Sequence, residues 1–482
     1  MHLLPSGLLS LLFAFFFCSV LAQERPSSGG QVLTYGGREI PVFSDEDLIQ
    51  RLQEMTTKML RPRFNSVVKS YINAYTVRNR ERTEAMLGRS ALYFPVFEKY
   101  LLENNMPLEL RCLPIVESAL NPNAISRARA VGLWQFMAET AKDFDLRINS
   151  YVDERKDPHR STEAALEFLA KLYERYDDWA LALAAYNSGP GRVNRAIRRG
   201  RSRDFWRIRR YLPRETRNYV PAFIASLYIW NYFHLHGLYP QYPELDMQMT
   251  DAIKVYEKIS LSKVAEITGL PADVVRKLNP SYKRGVIPAS QQGYNLILPR
   301  SVMAYMLNHL ERPDSKKYLE SSFIPAPSIT AGSGLNRGSS SFIKSTYTVQ
   351  SGDELESLAK LFKCSITNLK VWNGLTSDKI NAGQDLIIYT HAPKRATVER
   401  LSPLPRREAE MLKIDDRLVK PLAFPLSFLE DDKFLYHYLR PGESLRDVAR
   451  HYPAVKLGDL IRLNKDAQKG MKAGERIRVK EK

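Results

Sequence analysis

The stretch LPIVESALNPNA, residues 113–124, sets an acid at the end of an apolar helical run and then stops the helix. Leu113, Pro114, Ile115 and Val116 supply the run and Glu117 closes it. The Asn-Pro-Asn that follows has no periodicity, so residues 120–130 are expected to form a loop. A carboxyl group among apolar neighbours has its charged form destabilised, which raises its pKa and lets it donate a proton near neutral pH. Glu117 is therefore a candidate acid, against the alternative of a solvated helix residue.

Helical patterning extends on both sides. Ser44 and Asp47 make a capping-box pattern for a helix running through Leu60. Val67, Val68, Tyr71, Ile72 and Tyr75 recur at helical spacing, as do Phe94, Phe97, Tyr100 and Leu101, and such stripes are expected to be core. Further helices are expected at 107–119, 131–143, 161–176, 179–187, 190–199 and 213–235. After an N-terminal segment at 23–43, residues 44–240 thus read as one all-α domain. Three more clusters stand out within it: GLWQF (132–136), AYNSGPGR (185–192) and ETRNYVP (215–221).

Beyond Asp251 a weak repeat appears. Leu261, Val264, Ala265 and Asn279 are spaced like Leu355, Leu358, Ala359 and Asn373. Leu445, Val448, Ala449 and Asn464 follow the same order with one residue inserted. The later copies add a Gly-acidic turn, Gly352-Asp353 and Gly442-Glu443, and an Ala-Gly before a short strand-like tail. Strand, helix, helix, strand in roughly 45 residues makes a small α+β unit. The units fall at 252–300, which lacks the turn and is degenerate, at 346–391 and at 435–480. The repeat asparagines are expected to be structural. Residues 312–345, rich in Ser, Gly and Pro, are expected to be a flexible linker that tethers the later units without fixing their orientation. A second connector fills 392–432.

The chain has 482 residues and a formal net charge of +18. That balance favours anionic partners: nucleic acid, membrane surface or a carboxylate-bearing polymer. No zinc-finger, homeodomain or RNA-binding signature is present, so nucleic acid is not expected. Residues 3–22 are apolar and end in Val20-Leu21-Ala22, the pattern of a secretory signal peptide (1–22) with Gln23 as first mature residue. The run is long enough to remain as a membrane anchor if uncleaved. Phe17 ahead of Cys18 argues against lipidation. Export to the periplasm or cell envelope is the expectation. Cys112 and Cys364 lie in different domains and in no CxxC or Cys/His pattern, so neither disulfide, metal nor cofactor is expected, and Cys112 reads as a core thiol.

In their order, the four clusters resemble the family of lytic transglycosylases with a lysozyme-like catalytic domain. The resemblance is greatest to its membrane-bound type D branch, in which lysin-motif (LysM) repeats follow. It implies a multidomain protein: an all-α lysozyme-like catalytic domain followed by small α+β (βααβ) LysM modules. It also implies a substrate, the peptidoglycan glycan strand, and a single-carboxylate mechanism. Glu117 would protonate the β-1,4 bond between N-acetylmuramic acid and N-acetylglucosamine, and the substrate's acetamido group would stabilise the anomeric cation. Glu117 would then take the C6 hydroxyl proton as that oxygen closes a 1,6-anhydro ring. Tyr219 would orient Glu117, with Ser118, Ser126, Gln135, Tyr186 and Asn187 binding substrate or supporting. Gly132 would let the backbone approach sugar, and Glu215 would be a structural hydrogen-bonder. Arg127 and Arg129 depart from the family pattern in the loop. The LysM modules would bind N-acetylglucosamine-containing polymer. Glycosidases usually need two carboxylates, and Glu139, Asp153, Glu154 and Asp157 are candidates for a second. A hydrolytic muramidase and a non-catalytic peptidoglycan-binding protein therefore stay open.

Overall fold

The computed structural model describes residues 32–310 except positions 36, 37, 56 and 58, residues 342–391, and within 434–481 two strands, a helix and scattered positions. The apolar run at 3–22, most of the linker expected at 312–345 and the connector at 392–432 lie outside the described residues. Among the described residues no helix is long and apolar enough to cross a membrane.

An antiparallel hairpin of β1 (Val32–Tyr35) and β2 (Arg38–Pro41) precedes the helices. Ser44 caps α1 (Asp45–Glu54) in a full capping box with Asp47. This helix ends at Glu54 instead of reaching Leu60, because the Thr57 hydroxyl accepts the N–H groups of Met59 and Leu60 and offers the backbone another partner. Then follow α2 (Ser66–Asn73), a π-helical turn at Ala74–Arg78, and the long α3 (Arg80–Glu103). A 3-10 turn leads into α4 (Leu113–Ser118), and α5 (Ala138–Asp143), α6 (Pro158–Tyr176), α7 (Trp179–Ser188), α8 (Pro190–Gly200), α9 (Phe205–Ile208) and α10 (Arg214–Tyr232) complete the domain. The sequence WALALAAYNS is apolar nearly all round, and α7 accordingly runs through the centre between α6 and α10.

The helix expected over 131–143 forms only at Ala138–Asp143. Residues 131–136 make a tight hairpin instead, with Val131 bridged to both Ile125 and Phe136. Gly132 explains it: its φ is +91°, and a Cβ there would lie 1.8 Å from the carbonyl oxygen of Arg155. That packing contact alone requires a glycine here.

After α11 (Leu245–Gln248), β3 (Thr250–Val255) pairs antiparallel with β6 (Tyr294–Pro299) around a short β4 (Ile259–Ser260), α12 (Leu261–Thr268), α13 (Ala272–Leu278) and β5 (Val286–Ile287), with α14 (Arg300–His309) behind. The strand–helix–helix–strand plan recurs in β7 (Phe342–Thr348), helices Leu355–Leu361 and Ile366–Asn373, and β8 (Asp385–His391). Strands β9 (Phe434–Tyr438) and β10 (Arg476–Glu481) also pair, with a helix at Leu457–Leu463 between them.

The first module is fused to the helical domain. Val152 of the helical domain lies in the module's own core, Asp153 N–H donates to the Ser281 carbonyl, and the Arg147 guanidinium stacks 3.7 Å over Tyr294. The module at 342–391 is seated too, contrary to a tether of free orientation. Glu98, 1% exposed, receives Arg111 at 2.6 Å, the Thr367 N–H at 3.1 Å and the Thr367 hydroxyl at 2.5 Å. Lys370 pairs with Asp378 at 2.7 Å, and Trp372 Nε1–H donates to Gln248 at 3.1 Å.

Candidate active site

Glu117 is held by the way its short helix ends. Ala119 and Leu120 both take left-handed backbone angles, φ +51° and +59°, which stop α4 immediately after the acid. The Ser118 hydroxyl donates back to Pro114 at 3.1 Å and across to the Leu133 carbonyl at 2.9 Å. Ser118 therefore fastens the acid's helix to the 131–136 hairpin; it does not line the cleft.

That cleft has a volume of about 470 Å³ and draws on all four sequence clusters. Glu117, Gln135, Asn187 and Tyr219 line it, with Tyr186 and Ser126. The Tyr219 hydroxyl donates to Glu117 Oε1. Tyr219 sits in the first half of α10, two residues before an internal proline: Pro221 cannot bond the Arg217 carbonyl, and Arg209 Nε donates to it instead at 2.5 Å. The Tyr186 hydroxyl donates to the Trp134 carbonyl at 2.8 Å, joining α7 to the hairpin. Asn187 Oδ1 accepts from Thr216 at 2.8 Å. Gln135, at φ +50°, closes the hairpin by donating to Ala124 and Gly132. Ser126 accepts the Ala130 N–H at 3.0 Å, so it too shapes its loop.

Burial pushes the Glu117 carboxyl up to about 7, with the Tyr219 bond pulling it down and the charge of Glu215 pushing it up. Burial also drives the Tyr219 hydroxyl well above its ordinary value, so it stays a proton donor across the working range. The result is a part-buried acid that is about half protonated near neutral pH.

None of the other carboxylates proposed for a second role faces this cleft. Asp153 pairs with Arg155 at 2.8 Å, Glu154 with Arg147 at 2.5 Å, and Asp157 caps α6. Glu139 is exposed beside Lys142. Glu215 does line the cleft, but as an exposed carboxylate with no side-chain hydrogen bond among the described residues; its neighbour Thr216 makes the structural bond expected of it. Arg127 and Arg129 are exposed, and Ala128 between them is the residue lining the cleft. Cys112 is fully buried, a core thiol as expected, with its pKa raised to about 12 by burial. No group of His, Cys, Asp and Glu suited to a metal occurs among the described residues.

Sequence reasoning missed one wall. Tyr71 and Tyr75, read as core stripe, line the cleft from α2 and the π-helical turn. The periodicity placed them on the right face but could not say that the face opens onto a cleft. A π turn commonly marks a functional site, but its extra residue leaves no trace in a hydrophobic pattern.

Residues 95–208 match the Transglycosylase SLT domain, 249–314 the LysM-like domain of lytic transglycosylase MltD, and 347–388 the LysM domain. The chain is 29% identical to membrane-bound lytic murein transglycosylase D of Escherichia coli K12 over 443 residues, covering 91% of this chain and 83% of the relative. A putative tributyltin chloride resistance protein of Alteromonas is 45% identical over 107 residues, which are 22% of this chain and 51% of that one. The 70 kDa soluble lytic transglycosylase of Escherichia coli, a solved structure, is 28% identical, with 29% of this chain and 24% of that chain covered and a TM-score of 0.26. Tyr71, Tyr75, Glu215 and Tyr219 lie outside the SLT match, so the cleft is completed by helices on either side of it.

Proposed function

We infer, from the premise that this chain is an SLT-type lytic transglycosylase carrying LysM modules, that Glu117 performs both proton transfers of a peptidoglycan cleavage. The observation that carries this reading is a carboxyl raised to about 7 and hydrogen-bonded by Tyr219 in a cleft that also presents Asn187. In its protonated form Glu117 gives its proton to the oxygen between N-acetylmuramic acid and N-acetylglucosamine. As that bond breaks, the acetamido oxygen of the muramic residue closes on C1 as an oxazolinium. Glu117, now a carboxylate, takes the C6 hydroxyl proton while O6 attacks C1 and releases the acetamido group. The acid is regenerated, no water is consumed, and the product is a 1,6-anhydro end. Near its pKa a group has both forms available, which suits one residue to both steps.

Asn187, with its Oδ1 engaged by Thr216, has its amide nitrogen left to hold the acetamido group. Tyr186, Gln135, Ser126 and Ser118 keep the cleft walls in register, and Tyr71 and Tyr75 add aromatic wall against which sugar can pack. The LysM modules bind N-acetylglucosamine in the same polymer and bring the enzyme to the wall, and the apolar run at 3–22 directs export to the periplasmic side of the envelope. Mass spectrometry of digested sacculi tests the reaction. The muropeptides should be lighter by one water than hydrolysis products, and Glu117→Gln should cut turnover by at least about a thousandfold with unchanged circular dichroism. Hydrated ends would make the enzyme a muramidase; activity within about tenfold of the natural chain would remove Glu117 from the mechanism.

A further inference from the structure

Away from the Glu117 cleft, where the helical domain meets both following modules, a second cavity of about 410 Å³ opens between α3, α6, β3 and the start of α14. It shares no lining residue with the cleft. Its two acids are occupied: Asp251 holds Arg300 at 2.9 Å, and Glu163 holds Arg160. Two of its three lysines, Lys99 and Lys254, are different. Lys99 lies 5.4 Å from the Tyr100 ring, and neither it nor Lys254 has an ion-pair partner among the described residues.

His159, 6% exposed, lines the same cavity. Its Nδ1 is 3.2 Å from the Tyr100 hydroxyl, and its Nε2 is buried with no partner. Burial, with the nearby ammonium groups of Lys99 and Lys254, holds the imidazole down to about 4, so it is neutral under ordinary conditions. When Tyr100 donates to Nδ1, the ring proton is on Nε2 and has nothing to bond. A buried ring nitrogen without a partner, next to two cations with no ion-pair partner among the described residues, is a costly arrangement, and in the tautomer that carries the proton on Nε2 an oxyanion relieves it.

We propose that this cavity binds an oxyanion, and that the oxyanion is a carboxylate of the peptide stem carried by the peptidoglycan strand. Lys99, Lys254 and, in that tautomer, the His159 Nε2–H are its donors. The choice of ligand rests on the proposed function, since the stem carboxylate is the anion that accompanies that substrate. Bound here, the stem would anchor the polymer at the junction of the catalytic domain and its glycan-binding modules, on a surface that peptide-free glycan does not use.

Calorimetric titration of the full chain tests this with three probes: a soluble stem tripeptide with free carboxylates, the same peptide fully amidated, and inorganic phosphate. The free peptide should bind and the amidated one should not. K99Q/K254Q should weaken the free peptide at least about tenfold, while K99R/K254R should restore it. Failure to saturate at about 10 mM peptide, equal binding by the glutamine variant, or equal binding of the amidated peptide would each overturn the site. Phosphate displacing the peptide at lower concentration would overturn the stem assignment. Cleavage of peptide-free glycan by K99Q/K254Q should be unchanged and should still yield anhydro ends. A wrong product there sinks the proposed reaction, whereas a failed titration sinks only this cavity.

Discussion

Glu117 and Tyr219 are set apart by 102 positions in the chain and joined by one hydrogen bond. That bond has a direction of effect: it favours the carboxylate, against burial and the Glu215 charge, which favour the acid. Proton donation needs the acid form, so the rate should fall as pH rises through about 7, the value to which Glu117 is raised. Tyr219→Phe removes the interaction that lowers the pKa and leaves those that raise it. The alkaline limb of the pH–rate profile should therefore move to higher pH, while the maximal rate drops by about 10- to 100-fold through lost orientation. A tyrosine that only supported packing would lower the rate and leave the limb where it was. The wider lesson at this scale is that Ser118, Tyr186 and Gln135 are spent mainly on backbone carbonyls of the 124–134 segment. They hold the acid's surroundings in place.

At the scale of elements, the repeats are unified by a bond pattern invisible in their weak sequence likeness. Asn279 donates to the carbonyls of Val275 and Ile297 and accepts the Ile297 N–H. Asn373 does the same with Leu369 and Ile387. One amide thus ties the end of the second helix to the last strand, satisfying backbone groups on both. In the third copy Asn464 donates to Leu460, the helix half of that pattern. Asn279→Ala would leave buried strand groups without partners and should cost about 2–4 kcal/mol. Hydrogen exchange should report it as faster exchange at the Ile297 amide, and protection equal to the natural chain would refute the cross-tie.

The whole molecule is organised around buried charges between domains. Glu98 of α3 meets Arg111 beside it and Thr367 of the LysM module, and Arg111, 5% exposed, lies close to Phe94 and Trp230. Such a pair contributes little over an apolar contact when intact, but breaking it strands a buried charge. Glu98→Ala should therefore cost about 3–5 kcal/mol and release the 342–391 module from the catalytic domain. Small-angle scattering should then show a larger radius of gyration, with the Glu117 cleft still active on soluble glycan. An unchanged radius would mean that Leu108 and the other apolar contacts at this junction hold the module without the charge network. A seated module presents its glycan-binding surface at a set angle to the cleft, which a free tether would not.

By itself the sequence determined the helical domain and the repeating βααβ units and made Glu117 the candidate acid, while Tyr219 came only with the family resemblance. These rest on local signals: apolar periodicity, caps, breakers, and clusters short enough to keep their order. Only the tertiary structure decided which polar residues face the cleft, because hydrophobic spacing reports a buried face without saying whether it opens on core or on substrate. Tyr71 and Tyr75 entered the cleft that way, and Glu139, Asp153, Glu154 and Asp157 left it. Gly132 acquired its reason from Arg155, 23 positions away, and Glu98 from Thr367, 269 positions away. Contacts between groups so distant in the chain are chosen by how whole domains pack, and no local pattern encodes them.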